Sequence, residues 1–268
     1  MRTLRFYKIS PGGNATILVL DPVAPEDRAP LARTLLDANH LQAEQVGYLD
    51  LSSTPVRLDM MGGEFCGNAC RAAAAVMYRE GRGLADENGS WRGVLRVSGA
   101  DRPLAVRVVP MGNELECGVE MPMPAVDAVS EVGPGIGLVR LPGIVHLCLD
   151  ERAHPFPADY GRVAAELRQR FGLTAEDAVG CVWHRQEHGV QAIRPVVWVR
   201  FTDSICFETG CGSGSLALAL WLGRRQNFPT SLHVLQPSGG EIGVRREPGE
   251  APWIFGPVTV IARGETWV

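Results

Sequence analysis

The chain has 268 residues, which suits one large domain or two domains of about 130 residues each. Hydrophobic residues make up 46% of it and charged residues 21%, and this composition excludes a wholly disordered protein. The formal net charge of −4 excludes an overall positive field that would attract nucleic acid or anionic lipid, and no apolar run approaches the ~18–20 residues of a membrane-spanning helix. The first residues, MRTLRFYKIS, lack the apolar core of a signal peptide. We therefore expect a cytoplasmic protein that binds neither nucleic acid nor membrane.

Two residue types bear on cofactors and metals. Lys8 is the single lysine among 26 basic residues and lies in a strand-like segment, which disfavours pyridoxal phosphate chemistry because that chemistry needs a Schiff-base lysine. The seven cysteines are odd in number, and the chain is long enough to bury a core without disulfides, so a reducing compartment fits. The spacings Cys66-x3-Cys70 and Cys206-x4-Cys211 are not the paired CxxC pattern of a zinc site. We expect neither a cofactor nor a metal.

The first half of the chain alternates strand-like and helix-like segments. Apolar alternation predicts strands, and helical periodicity or a run of alanines predicts helices. In chain order the predictions are strands at 4–9 and 15–21 around a Gly-rich turn, a helix at 30–39, strands at 45–51 and 56–60, an alanine-rich helix starting near Cys66, and strands at 94–99, 104–110 and 115–122.

The second half repeats this plan after residues 121–137, a segment rich in Pro, Gly and small residues. Its predicted elements are strand material at 138–150, a helix at 160–172, strands at 179–185 and 195–201, a helix at 215–225, and strands at 231–237, 240–246 and 257–264. We expect an N-terminal domain at 1–125 and a C-terminal domain at 126–268, with the last strand a candidate to pack back on the first domain.

A short motif occurs once in each half. Residues 66–68 read Cys-Gly-Asn and residues 211–213 read Cys-Gly-Ser, and each motif follows a glutamate and opens a helix rich in Ala or Leu. Such a self-match indicates two related domains, and a coincidence between two Gly-flanked buried cysteines is the alternative. In a duplicated fold with a pseudo-twofold axis, Cys66 and Cys211 would approach one site from opposite sides.

This arrangement suits acid–base chemistry on an amino acid. A helix N-terminus offers N–H groups and positive dipole charge, which bind a carboxylate and favour the thiolate form of a cysteine. A thiolate on one side would remove the Cα proton, and a thiol on the other side would return a proton to the opposite face. The stereocentre is then inverted, provided that hydrogen-bond donors in a desolvated site stabilise the developing negative charge.

With these features, the sequence resembles the cofactor-independent diaminopimelate epimerase-like racemases over nearly its whole length. The matching segments are Gly13-Asn14, the run 44–47, the motif 64–68, His146, Glu208 with 211–214, and the late run 236–240. The resemblance implies an α+β fold of two similar domains related by a pseudo-twofold axis, each a β-barrel-like sheet around a central helix. It also implies that Cys66 and Cys211 form a thiol–thiolate pair.

The resemblance also assigns roles to other positions. His146 and Glu208 match catalytic groups near the substrate amino group and the thiols, although His146 among apolar neighbours would, by itself, be typical of a core histidine. The matched substrate-binding positions are Asn14, Gln45, Gly67, Asn68, Gly212 and Ser213.

One departure from the family pattern bears on the substrate. Diaminopimelate epimerases carry a Glu-Arg pair before the second cysteine whose arginine binds a distal carboxylate, and the corresponding place here is about Thr202-Asp203. Asp203, as a substrate-binding residue, would repel an anionic distal group and accept a neutral or cationic one. Among the branches, the sequence looks most like the histidine racemases of staphylopine-type metallophore biosynthesis.

The sequence is therefore compatible with three functions. The first is a cofactor-independent isomerase that interconverts L- and D-histidine, with an amino acid as its small-molecule partner. The second is a diaminopimelate epimerase with the same mechanism. The third is a non-catalytic amino-acid-binding member of the fold, which would not need both cysteines. A homodimer is expected from family habit.

Overall fold

The structure is a computed structural model that describes residues 2–86, 89–125, 127–200, 203–224, 231–246 and 249–268. Val126, the first residue of the expected second domain, and Thr202 lie outside the described residues. The chain divides into two compact units, of which the first is Met1–Met121 with Phe255–Val268 and the second is Pro122–Ile254.

The elements follow one another along the chain as four helices and seventeen strands within the described ranges. Up to residue 120 they are β1 Thr3–Ser10, β2 Thr16–Val19, α1 Pro25–Leu36, β3 Gln45–Asp50, β4 Val56–Met60, α2 Gly67–Arg79, β5 Leu84–Ala85, β6 Trp91–Val97, β7 Leu104–Met111 and β8 Glu114–Glu120. Beyond it they are β9 Val129–Gly133, β10 Ile136–Leu141, β11 Ile144–Asp150, α3 Tyr160–Arg170, β12 Ala178–Glu187, β13 Val190–Val199, β14 Ser204–Phe207, α4 Gly212–Gly223, β15 Ser231–Leu235, β16 Glu241–Arg245 and β17 Trp253–Trp267.

Eight strands of the first unit close into a ring. Strand β1 pairs with β2 on one side and β17 on the other, and the ring continues through β3, β4, β6, β7 and β8 back to β17. The pairs β2–β3 and β4–β6 are parallel. Every residue of α2 from Gly67 to Met77 is buried, and the helix packs against β1, β2, β6, β7 and β8. The small alanines at 72–75 let the surrounding strands approach this helix closely.

The second unit is a mixed sheet with one helix on each face. Its strands pair in the order β9–β10–β11–β12–β13–β15–β16, and β14 pairs with β13 as well. The odd-numbered positions of β11 and β12, such as Leu147 and Trp183, form a core with α3. The helix α4 is buried along most of its length and packs against β10, β11, β12 and β16. Its first turn therefore lies on the other face of the sheet.

The structure is an α+β fold with a closed ring of strands, and several elements differ from the sequence predictions. Helix α1 begins at Pro25, five residues before the predicted start, because proline at the first helical position and the acids Glu26 and Asp27 in the first turn favour a helix N-terminus. The short strands β5, β9 and β14 were not predicted, because most of their residues are exposed and they lack the alternation of buried apolar residues. No helix in the described part of the chain is long and apolar enough to cross a membrane.

Candidate active site

Cys66 caps the helix at the centre of the first unit. Its backbone is extended, with φ −135° and ψ 110°, and its Sγ accepts a hydrogen bond from the Ala69 backbone N–H at 3.4 Å. Helix geometry leaves the N–H groups of the first turn without partners inside the helix, so those of Gly67 and Asn68 lie where an anion would bind. Cys66 is only partly buried, whereas Cys70, one turn further, is fully buried.

A buried arginine supports this helix start. Arg71 is 0% exposed, and its guanidinium donates to the Asn68 side-chain oxygen at 3.3 Å. It also donates to the backbone carbonyls of Pro11 at 2.9 Å, Cys117 at 3.1 Å and Pro257 at 3.1 Å. Burial lowers the pKa of Arg71 to about 10, so the group stays charged at neutral pH. Sequence reasoning missed Arg71, although an arginine inside an alanine-rich helix was a signal that could have found it.

Asn14 and Gln45 lie in the same unit at the ends of neighbouring parallel strands. Both are buried, and Asn14 has a positive φ of 54° in the turn before β2. The Thr16 hydroxyl donates to the Asn14 carbonyl at 3.0 Å, and the Gln45 side-chain amide donates to that hydroxyl at 2.7 Å. Thr16 thus joins the two predicted binding residues in one hydrogen-bonded group.

Cys211 caps α4 in the second unit with nearly the same geometry. Its φ is −128° and its ψ 101°, and its Sγ accepts from the Gly214 backbone N–H at 3.2 Å. The Ser213 hydroxyl lies 3.6 Å from the same sulfur. The N–H groups of Gly212 and Ser213 occupy the first-turn positions that Gly67 and Asn68 occupy in α2.

A glutamine from the run 236–240 holds the Cys211 backbone. Gln236 is 3% exposed, and its side-chain oxygen accepts from the Cys211 N–H at 2.9 Å. Its amide nitrogen donates to the Ser215 hydroxyl at 3.0 Å, and that hydroxyl donates to the Cys211 carbonyl at 2.7 Å. Ser215 was not predicted, because its hydroxyl gains this role only when Gln236 folds against the helix.

The Cys211 thiol has a different electrostatic setting from a solvent-exposed cysteine. Burial, followed by the negative charge and hydrogen bond of Glu208, raises the pKa of Cys211 well above its usual value. Hydrogen bonds from Ser213 and Gly214 act in the opposite direction. Glu208 is brought beside Cys211 because its backbone N–H bonds to Pro195 where β14 ends. The structure therefore supports a protonated Cys211 at neutral pH.

His146 is fully buried on β11 and faces the same side of the sheet as the start of α4. It pairs with Gly180 on β12, where a methyl group would lie 2.2 Å from the His146 Nδ1. Two residues along β12, Val182 is 3.2 Å from the corresponding methyl position of Gly214. Neither ring nitrogen of His146 has a hydrogen-bond partner within the described residues, and burial lowers its pKa to about 3. The imidazole is therefore neutral at physiological pH.

Asp203 lies apart from the Cys211 cap. It is exposed, has a positive φ of 45°, and accepts a hydrogen bond from the Trp198 indole at 2.9 Å. Asp203 precedes β14, and Glu208 follows it. The strand is about 13 Å long at ~3.3 Å per residue, and this length separates Asp203 from Glu208. The structure does not bring Asp203 beside Cys211.

The single lysine bonds to a backbone carbonyl, and the described residues include no cluster of potential metal ligands. The Lys8 ammonium, on β1, donates to the Leu41 carbonyl at 2.8 Å. Across the ranges that the structure describes, no three His, Cys, Asp or Glu side chains are grouped so that they could hold a metal ion.

Comparison with known proteins identifies the family. A protein-family sequence model, described as the histidine racemase CntK N-terminal domain, matches residues 3–267 of this chain. A histidine racemase from Fusobacterium nucleatum is 28% identical over 273 residues, which cover 100% of this chain and 98% of that protein. A histidine racemase from Staphylococcus aureus is 25% identical over 299 residues, with coverages of 100% and 98%.

A solved structure shares the fold. The crystal structure of a hydroxyproline epimerase from Agrobacterium vitis, with bound trans-4-hydroxy-L-proline, matches 98% of this chain and 92% of its own with a TM-score of 0.68 and 12% identity. The expected membership of a racemase family is confirmed by the family model, which spans nearly every residue of both units. The chain therefore belongs to the histidine racemase family, and it is an isomerase.

Proposed function

We propose that this protein interconverts L- and D-histidine without a cofactor, using Cys66 and Cys211 as the acid–base pair. The observation that carries the proposal is the shared geometry of the two cysteines. Each has an extended backbone at a helix N-cap, and each sulfur accepts the backbone N–H three residues further on. Such N–H donors and the helix dipole stabilise a thiolate, which is the form that removes a proton.

The mechanism follows from these two caps. One cysteine, as thiolate, removes the proton from Cα, and the other, as thiol, gives a proton to the opposite face, so that the configuration inverts. The first-turn N–H groups of Gly67 and Asn68, and of Gly212 and Ser213, hold the α-carboxylate as negative charge builds up on it. Glu208 keeps Cys211 protonated and thus able to act as the acid.

The order of elements supports a duplication that places the two cysteines in equivalent positions. In each unit, antiparallel strands are followed by a helix, further strands, a second helix that starts at the cysteine, and more strands. In each unit the strands flanking the first helix pair in parallel, as β2–β3 and β11–β12. Around the second helix, β4 pairs in parallel with β6 and β13 with β15, while the short strands β5 and β14 lie between helix and strand in the chain. We infer that the units are related domains, as the motif repeat suggests.

Histidine is favoured as the substrate by two considerations. The relatives from Fusobacterium nucleatum and Staphylococcus aureus are both named histidine racemases. The positions Thr202-Asp203 also carry no cation to bind a distal carboxylate, and the nearby Arg200 is paired with Asp177. A histidine side chain needs no such cation. D-Histidine would then be the building block of an opine-type metallophore.

The test is solvent exchange at Cα. The reduced protein, with no added cofactor, is incubated in deuterated water with L-histidine, D-histidine or diaminopimelate, and deuterium and chirality are read by mass spectrometry and chiral chromatography. We expect exchange and inversion with histidine only. Epimerisation of diaminopimelate without any reaction of histidine would instead support the diaminopimelate epimerase. Binding without exchange of any substrate would indicate a non-catalytic member.

Replacing either cysteine tests the mechanism. We expect Cys66→Ser and Cys211→Ser each to lower racemisation by at least about 10³-fold, since serine is a far weaker acid and base at neutral pH. Cys206→Ser, which changes an exposed thiol on β14, should retain full activity and serves as the matched control. Full turnover in both cap variants would contradict the two-cysteine mechanism.

A further inference from the structure

The interior of the first unit holds a cation that the two-cysteine mechanism does not use. Arg71 is 0% exposed, and its four recorded hydrogen bonds all go to neutral oxygens: three backbone carbonyls and the side chain of Asn68. None of the ion pairs found among the described residues includes Arg71. A fully buried charge without an opposite charge is costly, so its presence calls for a function.

Three groups near this charge could offer it an anionic partner. The guanidinium interacts electrostatically with Cys66, Cys117 and Glu116. Burial raises the pKa of Cys117 to about 12, so that thiol stays neutral. Glu116 is half-buried and alternates with Cys117 along β8, so its carboxylate belongs to the outer face of the strand.

The nearest other carboxylate in the sequence is Glu64, two residues before Cys66, and burial raises the pKa of Glu64, which disfavours its charged form. Burial raises the pKa of Cys70 well above its usual value, so this thiol is neutral too. The Glu64 carboxylate accepts the Gly62 N–H, and Tyr7 of β1 bonds to Glu80 at the far end of the helix. Strand β2 has no titratable residue, and the inward positions of β6 and β7 are apolar: Trp91, Leu95, Val97, Leu104, Val106 and Val108.

The two caps interact with charged side chains of opposite sign, Cys66 with Arg71 and Cys211 with Glu208. Cys211 is 3% exposed and lies beside the Glu208 carboxylate, which opposes a second negative charge. Cys66 is only half-buried and lies on the helix that carries the Arg71 cation one turn on. When two similar groups have different electrostatic surroundings, their pKa values differ. The group with the higher pKa then acts as the acid and the other as the base.

We propose that Arg71 is a positioning residue that fixes Asn68 at the helix start and supplies the buried positive charge that makes Cys66 the thiolate of the ligand-free enzyme, with Cys211 the thiol. This assignment rests on the proposed two-cysteine function. It predicts that the ligand-free enzyme is ready to take the proton from the enantiomer whose Cα–H faces Cys66.

The experiment measures each thiol directly and needs no substrate. The ligand-free reduced protein is alkylated with iodoacetamide between pH 5 and 10, and the rate at each cysteine is followed by peptide mass spectrometry. Cys206, exposed on β14, is the internal reference thiol. In the unaltered protein we expect the midpoint of the Cys66 rate profile at least one pH unit below that of Cys206, and that of Cys211 above it.

Variants of Arg71 separate charge from structure. In Arg71→Gln, we expect the Cys66 midpoint to rise by at least one unit, which lowers the rate at pH 7 about tenfold, while Cys206 does not change. Arg71→Lys keeps the charge and should move the midpoint less, and Arg96→Gln, at an exposed arginine of β6, should leave it unmoved. An unmoved Cys66 midpoint in folded Arg71→Gln would overturn the proposal.

The outcome stays decisive if Arg71→Gln does not fold. A Cys66 midpoint equal to or above that of Cys206 in the unaltered protein overturns the proposal by itself. Loss of racemisation in solvent exchange, combined with a low Cys66 midpoint, would refute the proposed function and leave the charge assignment standing.

Discussion

The imidazole of His146 is packed so tightly that its protonation is excluded over the physiological pH range. A methyl group at Gly180 would lie 2.2 Å from its Nδ1, and the residue is fully buried. Burial lowers its pKa to about 3, compared with an ordinary value of 6.5. The predicted catalytic role of His146 stays a prediction, and a neutral imidazole restricts that role to hydrogen bonding or packing near neutral pH.

This burial predicts acid sensitivity of folding. The unfolded chain protonates His146 below about pH 6.5 whereas the folded chain does not until about pH 3, so the free energy of unfolding falls as pH falls through this window. Replacing His146 by Leu removes the effect. When the pH is lowered from 7.5 to 5.5, we expect the free energy of unfolding of His146→Leu to rise by about 1.4 kcal/mol relative to that of the unaltered protein. Urea denaturation at the two pH values measures this difference.

The control for this experiment is His188→Asn. His188 is exposed and has a positive φ of 48°, which asparagine adopts readily. Like His146→Leu, this substitution removes one histidine from the chain, but at an exposed position. The same pH dependence in His146→Leu and the unaltered protein would show that His146 takes up its proton in the folded state.

At the scale of the elements, a neighbouring turn positions the residues that lead into the Cys66 cap. Gly99, in the turn after β6, has a φ of +73° and lies against the backbone just before Cys66. The Ser98 hydroxyl in the same turn donates to the Glu64 carbonyl at 2.8 Å and accepts from the Met60 N–H at 2.9 Å. The turn thus clamps the segment between β4 and α2.

Gly99→Ala tests the clamp. The added methyl group would lie 2.4 Å from the Phe65 backbone nitrogen, so the segment before Cys66 must move. We expect a loss of about 1–3 kcal/mol in the free energy of unfolding and a lower kcat. Gly112→Ala is the matched control, since Gly112 has a φ of +65° with open space around it, and its racemisation should be unchanged. Equal activity of the two variants would contradict this positioning role.

At the scale of the whole molecule, the last strand completes the first unit. Strand β17 pairs with β1 from Thr3 opposite Trp267 to Ser10 opposite Thr259, and it also pairs with β8. The Pro257 carbonyl on β17 accepts one of the Arg71 hydrogen bonds. Closing the ring and holding the Cys66 helix thus both depend on the C-terminal residues.

A shortened chain tests this dependence. In a variant that ends at Ile254, β1 loses its pairing with β17 and keeps that with β2. We expect the β1 amides that bond to β17 to lose their protection from hydrogen exchange while β11 and β12 stay protected. Removing Val268 alone, which bonds only to Arg2 through its backbone, should leave β1 protected from Phe6 to Ile9. Persistent protection of β1 in the chain ending at Ile254 would show that the ring does not need β17.

The helices and the cysteines that start them were predictable from the sequence because their causes are local. Alanine and leucine runs favour a helix, and the glycines at 67 and 212 mark the turns from which the two cysteine-capped helices begin. The family was recognisable for the same reason, since its motifs are short segments. The roles of Glu208, His146 and the substrate-binding residues stay predictions.

Only the tertiary structure decided how these motifs are supported. Arg71 bonds to carbonyls 46, 60 and 186 residues away in the sequence, and Gln236 to a cysteine 25 residues away. Asp203 precedes β14, and the segment that leads to Cys211 follows it. The length of this strand separates Asp203 from the Cys211 cap, although Asp203 and Cys211 are close in sequence. Such relations depend on which strands pair, and the pairing is set by long-range burial that no local pattern records.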